Sequence, residues 1–257
     1  MSLQQEIIRF VQELAISRTL LGNQGATRWA AAAIRALPTV LRTRSLAPAD
    51  RAIGPHFQVH CLSTVFHMTD GDFGICREII GHDCYRLRPL LGTLRTAIDL
   101  GSNCGVFTLA AAAFNPFCRI VAVEANPEFA AATVANMTAN GFGGRVSVRN
   151  QLVGAPTVAS IKALVAASPA MRLFNPTDAI RELGGCDFLK CDVEGAEHVL
   201  FSGDLSWLAS VKRFAIEYHW SETDGIKLEK ILASAGFRVE RVPHRTLGYL
   251  YGVNHNL

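Results

Sequence analysis

Six side chains have the types and spacing to do chemistry: Asp99, Glu124, Asp192, Glu194, Glu217 and His219. Asp99 opens the stretch Asp99-Leu-Gly-Ser-Asn-Cys-Gly. Glycine at 101 and 105 permits a sharp turn and a close approach of backbone to a ligand. An acid at the head of such a loop could hold an ammonium group or its water; alternatively, it caps the helix that follows. Glu124 stands further along, beside Asn126-Pro127. A carboxylate there can accept hydrogen bonds from both vicinal hydroxyls of a ribose, or remain a solvated acid at a helix start. A nicotinamide-binding loop reads Gly-x-Gly-x-x-Gly and seats a pyrophosphate on a helix N-terminus. Gly101-Ser-Asn-Cys-Gly105 has the wrong glycine pattern and an acid before it, which suits a cationic amino-acid head better than a diphosphate.

The second group is the catalytic set. Asp192 and Glu194 follow one apolar run, and Glu217 and His219 close another. An imidazole titrates near neutral pH, so His219 is the first candidate for a general base, with Asp192 next. Residues 217 and 219 share one face of a strand, so Glu217 could raise the pKa of His219. Asp192, Glu217 and His219 could also bind a divalent metal, which the spacing permits without favouring. The bland alternative has His219 bonded to a backbone carbonyl. Lys190 is expected to be buried beside a carboxylate as a structural ion pair. Glu197 and His198 are expected to face solvent or the sheet edge.

Such groups need elements that carry them to a common edge. Residues 1–17 and 26–38 read as helices around the break Gly22-Asn23-Gln24-Gly25, and 46–55 as a connection. One or two short strands are predicted in 57–66, a turn or N-cap at 69–72, and a helix over 73–80 stopped by Gly81. Strands at 96–100, 119–124, 146–149, 187–191 and 213–218 then alternate with helices at 106–114, 127–139, 196–201 and 226–235. Alternation at this spacing argues for a mainly parallel sheet covered on both faces, with ligands beyond the carboxyl ends of its strands. The last strands, 237–242 and 248–253, are joined by Pro243-His244-Arg245-Thr246, too short for a parallel crossover, so they form an antiparallel hairpin. The predicted fold is α/β: a doubly wound, seven-stranded, mainly parallel sheet with the last strand antiparallel. Residues 1–72 form a helical and short-strand extension on the acceptor side, and 73–257 the ligand-binding domain. Phe107, Phe114 and Phe117 read as core.

Composition narrows the function classes. The 257 residues are 49% hydrophobic, enough for a sizeable core. Lysine and arginine number 25 against 22 acids, a net charge of +3 that leaves no electrostatic footprint for nucleic acid. Seven cysteines, an odd number with no Cys-x-x-Cys pair, argue against a disulfide framework or zinc cage and for buried thiols in a reducing cytoplasm. Charged and amide residues interrupt the first sixteen positions with helical spacing, unlike a signal peptide. No run approaches the roughly 18 apolar residues that span a bilayer.

Ala97-Ile-Asp-Leu-Gly-Ser-Asn-Cys-Gly-Val-Phe-Thr-Leu, Val121-Ala-Val-Glu-Ala-Asn-Pro and Phe188-Leu-Lys-Cys-Asp-Val-Glu-Gly-Ala-Glu resemble the motifs of the FkbM-type methyltransferases, over roughly residues 73–220. The last is the longest match, to a signature Lys-x-Asp-x-Glu-Gly-x-Glu. Asn136 and Asn140 fall where that family's next helix usually carries asparagines. Arg77-Glu78-Ile79 and Asp83-Cys84-Tyr85 resemble a segment that packs near its cofactor. The resemblance implies a class I, Rossmann-like fold, S-adenosyl-L-methionine as cofactor, and O-methylation of a sugar or similar small natural product. It carries Asp99, Gly101, Asn103, Gly105 and Glu124 over as cofactor residues, to which Asn126 and Asp192 are added. Two departures concern the acceptor side. The segment 152–188 lacks the family's usual Leu-Asp-Asp run, with Thr177-Asp178-Ala179-Ile180 nearest to it, and residues 1–72 match no family pattern. The alternatives are a nicotinamide-dependent oxidoreductase on the same fold and an inactive, methyltransferase-like binding protein.

Overall fold

In a computed structural model, residues 3–157, 159–168, 170–219, 221–244 and 247–257 are described. A two-stranded antiparallel hairpin, β1 (Phe57–Cys61) and β2 (Thr64–Met68), precedes a seven-stranded sheet. The sheet strands are β3 (Thr96–Leu100), β4 (Arg119–Glu124), β5 (Val146–Asn150), β6 (Phe188–Cys191), β7 (Arg213–Tyr218), β8 (Phe237–His244) and β9 (Leu247–Asn254). Their order is β5-β4-β3-β6-β7-β9-β8, with β9 antiparallel to both neighbours. The predicted doubly wound sheet with an antiparallel last strand is the one found. The tip of the final hairpin, Arg245 and Thr246, lies outside the described residues.

Parallel strands covered on both faces read as unbroken apolar runs, and β4, β6 and β7 are buried along nearly their whole length. Side chains alternate between the faces. Ile98, Leu100, Val121, Val123, Leu189 and Ile216 fill one core. Ala97, Ile120, Phe188 and Ala215 fill the other, with helix Val106–Phe114 and with Trp29, Val59 and Phe66 of the extension. The polar exceptions on this second face matter for the site: the register sets Asp99 beside Lys190 and Glu217 beside Tyr249.

Several elements differ from the sequence reading. The first helix runs Leu3–Arg35, past Ser17, and breaks at Gly22 alone, the residue with non-helical angles. The connection 46–55 contains the short helix Ala47–Arg51, started by Pro48 in its first turn. Helix Phe73–Cys76, capped by Asp72, widens into a π turn, Arg77–Gly81. Helices Ala159–Ala167 and Pro176–Leu183 occupy a segment in which no helix was predicted. Asn175 caps the second, and Gly184 ends it in the left-handed region. Phe117 is an exposed residue of the turn before β4 instead of core. All seven cysteines are free, as expected. Among the described residues no helix is long and apolar enough to cross a membrane.

Polar clamps bind the extension to the sheet. Asn136 accepts from the Thr69 N–H (2.9 Å) and donates to the carbonyls of Asp70 and Cys104. Asn140 bonds both backbone groups of His67. Arg77 donates to Asp50 (2.8 and 3.0 Å) and to Glu13, and Trp29 donates its indole N–H to Asp50 (2.8 Å). Glu13 and Asp50 are buried. Removing the guanidinium would take the shared cation from both carboxylates, leaving Asp50 the Trp29 N–H and Glu13 the His82 ring. Arg77→Ala is therefore expected to cost about 3–5 kcal/mol of stability, the usual penalty for breaking a buried pair from one side. Urea unfolding measures it; a loss below about 1 kcal/mol would show that the clamp is as weak as a surface pair.

Candidate active site

Gly101, Glu124 and Asp192 meet at a cavity of about 540 Å³ beyond the carboxyl ends of β3, β4 and β6. Gly101 has a φ of 76°, and a Cβ there would stand 1.8 Å from the Asp192 carbonyl oxygen. Only glycine lets the two strand ends approach this closely. Glu124 is fixed by its neighbours: Oε2 accepts the Asn103 N–H and Oε1 the Asn126 N–H, each at 2.8 Å. Burial raises its pKa above the ordinary glutamate value, outweighing these two donors. Asn126 also caps helix Pro127–Ala139. Phe129, Val153, Ile161 and Leu164 supply an apolar wall. The side-chain carbonyl oxygen of Gln151, which lines the same cavity, is buried without a hydrogen-bond partner.

Asp99 and Gly105, expected as cofactor contacts, are not among the residues that line this cavity. Asp99 is fully buried. Its Oδ2 accepts from the Thr108 hydroxyl at 2.6 Å, and its Oδ1 is 3.2 Å from the Lys190 ammonium. Lys190 also donates to the carbonyls of Leu100 (3.2 Å) and Gly101 (2.5 Å) and lies 3.9 Å from Asp192. Burial works against its charge, but Asp99 and Asp192 outweigh that and raise its pKa. The expected structural ion pair is present, and strand alternation sets Asp99 on the same face of β3 as Ala97. A Cβ on Gly105 would strike Thr133 at 2.9 Å, so this glycine serves helix packing.

Beside the cavity, the carboxyl ends of β6 and β7 bring Asp192, Glu194, Glu217 and His219 together. His219 Nε2 lies 3.6 Å from Asp192, 3.7 Å from Glu194 and 3.7 Å from Glu217. Its Nδ1 is 3.1 Å from Glu197. Burial disfavours the imidazolium, but the Glu197 hydrogen bond and the carboxylates of Asp192, Glu197 and Glu217 prevail and raise its pKa to about 9. Glu217 moves the other way from an ordinary acid: burial pushes its pKa up to about 7, with Asp192 and Glu78 adding to the effect. The Tyr85 hydroxyl lies within hydrogen-bond distance of both Asp192 (3.0 Å) and Glu217 (3.2 Å), with one proton to share between them. Tyr249 bonds Glu78 at 3.1 Å. Ligand atoms of Asp192, Glu194 and His219 all lie within 4.8 Å of one another, close enough for a shared divalent cation.

Glu197 corrects the sequence reading. It is 1% exposed instead of facing solvent, and it holds the imidazole and the backbone N–H groups of Val193 and Gly195. Its helix is a single turn, so helical periodicity could not reveal its inward face. Tyr85 and Gln151 were not singled out as site residues. Tyr85 was marked only through the segment Asp83-Cys84-Tyr85, which resembles one near the family's cofactor, and it reaches the cluster by tertiary packing; Gln151, unmarked by its local sequence, arrives by following β5.

The model of the methyltransferase FkbM domain matches residues 99–239. No match was found among curated proteins. Among solved structures, the METTL16 methyltransferase domain has 17% identity and a TM-score of 0.46, over 71% of this chain and 65% of that one. TrmK of M. capricolum, in complex with S-adenosyl-homocysteine, has 12% identity and a TM-score of 0.46, over 66% of each chain. An O-methyltransferase family protein from Burkholderia thailandensis has 16% identity and a TM-score of 0.42, over 64% of this chain and 52% of that one. The matched part thus spans less than two thirds of each of these chains, and no acceptor is assigned from them. The domain match covers more than half of the chain and includes the glycine loop, Glu124 and the Asp192–His219 cluster. This protein belongs to the FkbM family of methyltransferases.

Proposed function

We propose that the chain methylates a hydroxyl group of a sugar or other small natural product. One observation carries this reading: a cluster of titratable groups, Asp192, Glu217 and His219, adjoins the cofactor cavity through Asp192. A neutral amine attacks a methyl donor with its own lone pair, whereas a hydroxyl is a poor nucleophile until a base takes its proton. The residues fit the cofactor. Glu124, oriented by two N–H groups, has lone pairs left for ribose hydroxyls. The unpartnered oxygen of Gln151 offers an acceptor to an adenine amino group, and the apolar wall offers its ring a slot. A cavity of this size lies within the roughly 300–1,000 Å³ of small-molecule sites. Asn103, Asn126 and Asp192 line it with Gly101, while Asp99 and Gly105 do not. We read residues 1–72 as an extension that supports the acceptor side through Arg77 and the turn bearing Glu78, and 73–257 as the methyltransferase domain.

Bound there, S-adenosylmethionine supplies an electrophilic methyl group on a sulfonium. The chain must align the acceptor oxygen and receive its proton. His219, the first candidate from sequence, is held in its cationic form at neutral pH by the carboxylates around it. Glu217 is the group poised to exchange a proton there. It would take the acceptor hydroxyl's proton as the sulfonium, when bound, supplies the methyl group. His219 and Tyr85 hold the carboxylates and balance their charge. A divalent cation is the second reading. It is favoured by the three carboxylate oxygens set 3.6–3.7 Å around His219 Nε2, too far for hydrogen bonds.

Glu124→Ala is expected to weaken S-adenosylmethionine binding by roughly 10- to 150-fold, since a hydrogen bond to a charged group contributes about 1.5–3 kcal/mol. Calorimetry on the folded variant decides, and undiminished affinity removes the ribose role. Glu217→Gln is expected to lower turnover by roughly 10²–10⁴-fold with cofactor affinity intact. Because the base works deprotonated, wild-type turnover should rise with pH around 7. A rise centred instead near 9 would return the role to His219. Full turnover after EDTA treatment is the result expected of the base mechanism; loss of activity restored by magnesium would establish the cation reading instead.

A further inference from the structure

The net positive charge of this chain is not spread over it. Residues 1–46 hold six arginines and two glutamates, and the other 211 residues hold 19 basic and 20 acidic side chains. One of the two glutamates, Glu13, is buried against Arg77 and His82. The other, Glu6, lies between Arg9 (3.9 Å) and Arg44 (3.8 Å). The exposed face of residues 1–46 is therefore basic.

The same segment exposes an apolar surface. The break at Gly22 folds the first helix back, so that Phe10 stacks on Trp29 with ring centroids 5.8 Å apart. Helix Leu37–Thr43 follows without a buried residue of its own. Ile7, Phe10, Ile34, Leu37, Val40 and Leu41 line a groove of about 280 Å³. Ile7, Ile34, Leu37 and Leu41 are each about half exposed or more (48–64%). Ile8 and Val11 extend the exposed apolar surface along the first helix. Arg9 lines the groove and donates to the Arg44 carbonyl at 3.0 Å, and the exposed Arg35 and Arg42 are next in sequence to Ile34 and Leu41.

We propose that this face docks onto an anionic lipid surface, with the apolar side chains in the acyl boundary and the arginines among the headgroups. Short amphipathic helices with basic flanks lie in the interface in this way without spanning the bilayer. Charge decides between a membrane and a second copy of the chain. A two-fold interface sets the same patch against itself, and this one would bring two sets of arginines together with only the half-buried Glu6 to offset them. An anionic surface neutralises them. The inference does not depend on the methyl acceptor, because none of these residues lines the cofactor cavity.

Co-sedimentation of the full-length chain with vesicles is the test. Pelleting is expected with phosphatidylglycerol–phosphatidylcholine vesicles at low salt, to fall steeply as salt rises, and to be weak with phosphatidylcholine alone. Each of Arg35→Gln and Arg42→Gln should lower the partition about fivefold. Ile34→Glu with Leu41→Glu should abolish it while cofactor affinity, measured by calorimetry, stays unchanged; that readout separates lost docking from lost folding. Equal pelleting with both vesicle types, or none with either, overturns the proposal. So does a stable dimer in light scattering that the same two glutamates dissociate, which would make the groove a self-association surface.

Discussion

A buried ammonium ties the two halves of the site together. Lys190 lies on β6, the sheet's central strand, and reaches across to β3, where it meets Asp99 and the carbonyls of Leu100 and Gly101. It also faces Asp192 at the end of its own strand. A charge this deep is tolerable only with partners, since an unpaired ion inside a protein is far costlier than any gain in packing. The partners are the start of the glycine loop and the first acid of the proposed catalytic cluster. The ion pair thus sets how the glycine loop stands against the Asp192 strand end, and Gly101 is what allows the two backbones to come so near.

Much of this was readable in the sequence, for a physical reason. Strands covered on both faces must be apolar throughout, so β3, β4, β6 and β7 stood out, and the acids at their ends stood out against them. The short link before β9 revealed the antiparallel edge. Single turns and cross-strand partners were not readable. Glu197 sits on four helical residues, too few to show which face is buried. Asp99 carries a motif that suggests a ligand contact, yet strand register pairs it with Lys190, ninety-one residues away in sequence. The helix at Ala159–Ala167 lacked a strong signal because it is apolar nearly all round, whereas Pro176–Leu183 carried start and stop signals, Asn175-Pro176 and Gly184, that the sequence reading passed over.

The electrostatics of the cluster redistribute the roles suggested by residue type alone. An isolated histidine is the obvious base at neutral pH. Surrounded by Asp192, Glu194, Glu197 and Glu217, it becomes the obvious cation, and one of the buried acids becomes the group that can exchange a proton. Environment, not side-chain identity, separates the acid from the base here. Tyr85 belongs to the same logic, since its hydroxyl lets two carboxylates approach one another. It stands just beyond the π turn that Arg77 anchors to the extension.

The central claim is that the cavity seats the cofactor with its ribose at Glu124 and its reactive sulfur toward the Asp192–Glu217–His219 cluster. A crystal structure with S-adenosylhomocysteine bound tests it most directly. The account predicts ribose hydroxyls within hydrogen-bond distance of both Glu124 oxygens, the adenine against Gln151 and Leu164, and the sulfur facing the cluster across a gap wide enough for a hydroxyl. A ribose held elsewhere, or a sulfur turned away from Asp192, would contradict it.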